Sequence, residues 1–172
     1  MKTVNRIKQL ILIASFLIPV SAVAQKSPVD KLFDKYANRE GMTTVNISGT
    51  LLGLAGKIQT DSPEAEFLSN LKAVRILSVE DLQLNKSLDF YKELENDGFF
   101  KNHDYEVLME VTEKNEVVRF YGKGAGQGKF SELLLVIGGN ENALISIRGL
   151  IDPENIGKIT SALDIDLSVN AK

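Results

Sequence analysis

The sequence predicts one α+β domain, a largely antiparallel sheet ending in a four-stranded meander with helices packed mainly on one face. Three observations carry that expectation. Apolar residues recur with helical spacing in several segments before Gly98 and alternate with polar ones from Tyr105 onward. Four β-rich stretches, 105–112, 117–122, 130–138 and 143–151, follow one another with only short turn segments between them. The 172-residue length suits a single core, and with no cysteine that core has to hold without disulfides.

The N-terminal residues 1–24 read as a cleavable signal peptide. Lys2, Arg6 and Lys8 form a positive n-region, Leu10 to Val20 an apolar h-region, and Ala22-Val23-Ala24 a small-residue cleavage site. The apolar run is about half of the roughly 20 residues a spanning helix needs, and Pro19 interrupts its end. A lipoprotein signal would require a cysteine. The expected product is an exported, unanchored domain over residues 25–172, periplasmic or extracellular. Removing 1–24 takes away three basic residues and no acidic one, so the formal charge moves from −3 to −6. That balance disfavours nucleic acid or an anionic membrane as partner, since both recruit basic patches.

Along the mature chain, Ser27 is placed to cap a helix with Pro28 at its first position and Asp30 in its first turn, with Val29, Leu32, Phe33, Tyr36 and Ala37 on one face and Gly41 as its end. Thr43 to Ser48 reads as a strand, and Leu51 to Ile58 as a glycine-interrupted apolar segment of undefined type. Asp61 to Lys72 is an expected helix with an Asp61/Glu64 capping box and Ala65, Leu68 and Leu71 inward. Ala73 to Val79 is a strand, and Asn85 to Asn96 a helix with Leu88, Tyr91 and Leu94 inward. After the strands, Asp152-Pro153-Glu154 opens a final helix with Ile156, Ile159 and Leu163 inward.

Spacing also predicts register. A two-residue turn at Lys114-Asn115 sets Glu110 opposite Arg119, Met109 opposite Phe120 and Leu108 opposite Tyr121. A three-residue loop Gly139-Asn140-Glu141 sets Glu132 opposite Arg148, Leu133 opposite Ile147 and Phe130 opposite Leu150. Such cross-strand pairs contribute about 0.2–1 kcal/mol each, enough to select a register. Leu133 to Ile137 is apolar on both faces, the pattern of a central strand covered on two sides.

The order of these segments, with Tyr105 to Val111, Val118 to Tyr121, Phe130 to Val136 and Leu144 to Ile151, resembles the exported domain of unknown function (DUF) 4252 family of Bacteroidota. The likeness spans the mature chain from the Phe33–Tyr36 helix to the Ile156 helix. It implies a cell-envelope protein of a gut or environmental bacterium, with no established activity and no catalytic residues to carry over. Relatives are often lipid-anchored; this chain lacks the cysteine.

Candidate chemistry is sparse. Gly122-Lys123-Gly124-Ala125-Gly126-Gln127-Gly128-Lys129 offers backbone N–H groups and two lysines to an anion, but it fits neither the P-loop nor the dinucleotide spacing and reads first as a hairpin connection. His103 is the only histidine, which precludes a multi-histidine metal site within one chain; a hydrolase using His103 with Asp104 or Glu106 is the sharp alternative to a plain loop residue. Carboxylate pairs Asp30/Asp34 and Glu106/Glu110 read as solvated, with Arg119 available to Glu110. No cofactor or metal is expected. The expected function is a non-enzymatic binding or interaction module for another envelope protein or for itself, touching its partner through Leu108 and Tyr121, with Lys123 and Lys129 as further candidates. The alternative is a small-ligand carrier whose pocket between helices and sheet is lined by Phe67, Phe99, Met109 and Phe120.

Overall fold

The computed structural model describes residues 26–58, 63–101 and 104–157. The signal segment, Asp61, His103, Ile159 and Leu163 lie outside them. Helix α1 (Pro28–Tyr36) leads into β1 (Met42–Ser48), α2 (Gly49–Ile58), α3 (Pro63–Asn70) and β2 (Leu71–Val79). Then come α4 (Leu82–Ser87), α5 (Phe90–Asn96), a 3-10 turn (Phe99–Lys101), β3 (Tyr105–Glu113), β4 (Glu116–Gly126), β5 (Lys129–Gly139), β6 (Ala143–Ile151) and a second 3-10 turn (Pro153–Asn155). The six strands form one sheet in the order β1-β2-β6-β5-β4-β3, every neighbouring pair antiparallel. The α+β class and the four-stranded meander are as the sequence predicts.

Several boundaries move for local reasons. Ser27 caps α1 through Asp30 N as expected, but the helix ends at Tyr36, with Ala37 as its C-cap. Gly41 instead holds a left-handed turn before β1, where its carbonyl accepts from Glu80 N and Asp81 N. The undefined Leu51–Ile58 segment is helical, and Ser48 Oγ accepts from Leu51 N at its start. The predicted helix over 61–72 stops at Asn70, and Leu71 is buried as the first residue of β2. The predicted 85–96 helix is two helices. Asp81 caps α4 and Asp89 caps α5, and at the break Asn142 accepts from Phe90 N at 2.8 Å and donates to Leu88 O at 3.1 Å. That one buried side chain supplies partners the helical ladder has lost.

Register is largely as spacing predicts. Glu110 faces Arg119, Met109 faces Phe120, Glu132 faces Arg148 and Leu133 faces Ile147. Two pairs are displaced by irregularities: Tyr121 faces Val107 instead of Leu108, and Phe130 faces Ile151 instead of Leu150. The first shift has a visible cause. A Cβ at Gly122 would lie 2.5 Å from the Phe130 ring and 3.1 Å from Leu108 Cδ1, so those two side chains meet over a position only glycine leaves open.

Apolar side chains fill both faces. On the first face Val29, Leu32, Phe33 and Tyr36 of α1, Phe90 and Leu94 of α5 and Phe99 pack on Leu77, Tyr121, Leu134, Val136 and Leu144. On the second, Leu52 of α2, with Phe67 and Leu68 of α3 and Ile156 beside it, packs on Val74, Phe120, Phe130, Leu133, Leu135 and Ile147. The helical cover on this second face explains why β5 is apolar on both sides.

Candidate functional site

The first face carries a chain of polar groups among its aliphatic neighbours. Glu132, 6% exposed, sits on β5 and accepts from Ser146 Oγ at 2.6 Å, Tyr105 Oη at 2.7 Å and Arg148 Nε at 3.1 Å. Arg148 Nη2 and Arg75 Nη1 both donate to Asp30 Oδ1 at 2.9 Å, and the Arg75 guanidinium lies 3.8 Å from the centre of the Phe33 ring. Burial opposes ionisation of Asp30, but hydrogen bonds from Ser27 and Arg148 and the charges of Arg148 and Arg75 outweigh it and hold the carboxyl below its ordinary range. Asp30 is therefore tied into the core, not solvated as its i,i+4 spacing with Asp34 suggests. Burial and the neighbouring Glu132 push the Tyr105 phenol far up, so Tyr105 stays a hydrogen-bond donor.

Ser146 next to Glu132 has the outline of a nucleophile and base, but Ser146 is 1% exposed and all three donors already converge on the carboxylate. A substrate has no room there. The network's effect is positional: it fixes the Tyr105 ring as one wall of a neighbouring cleft.

That cleft, about 150 Å³, lies between the 3-10 turn and strands β3 and β4, lined by Phe99, Phe100, Tyr105, Val107, Arg119 and Tyr121. Its aromatic rings brace one another. Phe99 stands 4.8 Å from Tyr105, 5.2 Å from Phe100 and 5.4 Å from Tyr121 between centroids. Arg119 is held by Glu110, with Nη2 to Oε1 at 3.0 Å, and donates through Nη1 to Tyr91 Oη; its guanidinium lies 4.6 Å from the Tyr91 ring centre. Tyr121 is 3% exposed, and its hydroxyl makes no hydrogen bond of good geometry, with the Arg119 guanidinium as its polar neighbour. Burial pushes this phenol up to about 12 against the pull of Arg119.

The predicted site residues separate. Tyr121 belongs to the first-face core and lines the cleft, whereas Leu108 packs into the core of the second face. The two do not form an outer contact surface as the predicted register implies. The predicted pocket also divides: Phe99 is on the first face, and Phe67, Met109 and Phe120 are on the second. Lys123 pairs with Asp104 at 3.2 Å and Lys129 with Asp152 at 3.7 Å, so each lysine holds its own carboxylate instead of cradling an anion with the other. The glycine-rich run is the end of β4, the two-residue Gln127-Gly128 turn and the start of β5, with positive φ at Gly126, Gln127 and Gly128. Phe100, Tyr105, Val107 and Arg119 are the site residues that sequence reasoning missed. The available signal was the Phe99-Phe100 pair preceding a strand that begins with tyrosine.

Among the described residues no group of three or more histidines or carboxylates is arranged to hold a metal, and no helix is long and apolar enough to cross a membrane. The family model for the domain of unknown function DUF4252 matches residues 36–159, which takes in four of the five described α-helices, all six strands and the whole cleft. The chain belongs to the DUF4252 family. No curated protein and no solved structure matches it. In this DUF4252 domain, Tyr36 of α1 opens the matched region and the aromatic cleft falls inside it.

Proposed function

We propose that this DUF4252 protein is an exported cell-envelope protein of Bacteroidota that acts as a non-enzymatic binding module, taking a ring-sized ligand group in the Phe99–Tyr121 cleft. The observation that carries the reading is the aromatic cavity itself, whose wall holds the Tyr121 hydroxyl with Arg119 as its polar neighbour and no hydrogen bond of good geometry. An unmet buried donor costs about 1–3 kcal/mol, and a ligand oxygen placed against it recovers that cost. A cavity of about 150 Å³ is the size that accepts one benzene ring. Arg119 is already paired with Glu110, so the favoured ligand joins one ring or an equivalent apolar group to an oxygen that accepts from Tyr121. Export rests on the basic, apolar and small-residue succession of residues 1–24.

Calorimetry of the purified protein with benzoate, and with toluene as the ring that lacks an oxygen, tests the site. The expected result is saturable benzoate binding that weakens about tenfold in Tyr121→Phe, consistent with one lost hydrogen bond to a charged group. Absence of saturable binding, or equal binding by the variant, overturns the reading. Mass spectrometry of the protein from its native cell tests export, with a mature chain beginning at Gln25 expected and the uncleaved chain in the cytoplasm counting against it.

A further inference from the structure

The two edges of the sheet are finished differently. Edge strand β3 carries Glu106, Glu110 and Glu113 and has a register irregularity at Leu108, both of which discourage pairing with another strand. Edge strand β1, Met-Thr-Thr-Val-Asn-Ile-Ser, has no charge and no proline, and pairs with β2 in seven consecutive steps without a shift. Among the described residues nothing pairs with its outer side. Helix α2 follows it directly and leaves Leu51, Leu54 and Ile58 exposed by 58%, 52% and 83% at i, i+3, i+7 spacing.

Those two features lie on the same side of the molecule. Helix α2 packs on β1 and β2, while α3 packs on β6, farther from the edge. A Cβ at Gly56 would lie 2.7 Å from Ala65 O, so the Gly56 side of α2 is pressed against α3. On a helical wheel Leu51, Leu54 and Ile58 fall roughly opposite Gly56, away from α3 and toward the β1 edge. Residues 42–58 contain one charged side chain, Lys57, in a chain that is 25% charged.

We propose that the free edge of β1 and the outer face of α2 together form a surface for a second copy of this chain, the two β1 strands pairing antiparallel about a two-fold axis. An antiparallel strand edge is complementary to itself under such an axis, which makes this contact closed and isologous. Charge favours the same occupant: the chain is net negative, yet this stretch has no acidic residue to repel its own copy. A seven-residue edge is about 24 Å long, and a strip of that length one sheet and one helix deep buries on the order of 600 Å² per copy. Two such faces reach about 1,200 Å², the lower bound of specific interfaces, so the dimer dissociates on dilution. This surface and the Tyr121 cleft lie at opposite ends of the strand order, and either can fail without the other.

Sedimentation of the purified protein over a dilution series is the test. The wild type is expected to move from the dimer mass to the monomer mass on dilution. Val45→Lys and Leu54→Glu, both at exposed positions, are expected to raise the dissociation constant at least tenfold, with circular dichroism unchanged, and Val107→Lys on the guarded edge to leave it alone. Because the chain has no cysteine, Val45→Cys supplies a second reading: a disulfide-linked dimer forms on mild oxidation, and Val107→Cys gives none. A monomer at millimolar chain overturns the proposal. So does a dimer that Val45→Lys and Leu54→Glu leave intact, or a monomer that associates only when phosphatidylglycerol vesicles or another protein is added.

Discussion

On the first face of the sheet, Glu132, Ser146, Arg148, Asp30 and Arg75 run as a connected polar chain between α1 and the strands. On the second, the cross-strand row Val45, Ile76, Ile145, Leu135, Phe120 and Met109 crosses all six strands without one polar side chain. Apolar rows drive collapse and tolerate neighbouring arrangements, because any aliphatic contact is nearly as good as another. The polar chain tolerates almost none, since displacing β5 by one residue against β6 would turn Glu132 away from Arg148 and Ser146. One face supplies burial, and the other fixes how the strands and α1 are aligned.

The sharpest way to break that division is to delete a side chain from each face. Glu132→Ala leaves Arg148 without one of its two carboxylates and removes the acceptor of Tyr105 and Ser146, so a loss of about 3–5 kcal/mol is expected in urea unfolding. Arg148 is a third exposed and keeps Asp30, which favours the lower part of that range. Leu135→Ala removes a comparable volume from the apolar row and is expected to cost about 2–3 kcal/mol. Its neighbour Ile145 is only partly buried and free to relax into the space. A loss larger for Leu135→Ala than for Glu132→Ala would reverse the assignment of roles.

The same contrast marks what was legible in the sequence. Glu110 opposite Arg119 and Glu132 opposite Arg148 follow from turn length and charge alone, because both pairs sit in regular parts of their ladders. Leu108 was misplaced because the bulge depends on Phe130 lying over Gly122, a contact between strands that local spacing does not encode. The helix break at Leu88 is set by Asn142, more than fifty residues away. The cleft was missed for a related reason: Phe99 and Phe120 are both apolar aromatics, and nothing local says that the sheet divides them.

Acid and alkali should act most strongly on the first face. The Asp30 carboxyl is held below its ordinary range, so its contribution is fully present above the unfolded value of about 4 and is lost as pH falls through the folded value. Asp30→Asn is expected to flatten the acid limb of a stability–pH curve, and Leu135→Ala to lower the curve evenly. At the other end, burial raises the Tyr36, Tyr105 and Tyr121 phenols. Their contribution is fully present below about pH 10 and falls as pH rises toward the folded values. Parallel acid limbs for wild type and Asp30→Asn would show that the Asp30 link to Arg75 and Arg148 does not set the pH response.

The smallest expected effect carries the opposite sign. Tyr121→Phe keeps the ring that packs against Phe99 and Phe100 and removes a hydroxyl that is buried with no hydrogen bond of good geometry. In the ligand-free protein that deletion is expected to stabilise by about 1 kcal/mol, the lower end of the cost of an unmet polar group. Tyr105→Phe, by contrast, breaks a 2.7 Å bond to Glu132 and is expected to destabilise by about the same amount. Two phenols in one cleft thus give opposite changes in unfolding midpoint if one is a fixed wall and the other is held ready for a ligand. Destabilisation by both would mean that Tyr121 has a partner in the free protein, and the cleft would then offer no unmet hydroxyl for a ligand to satisfy.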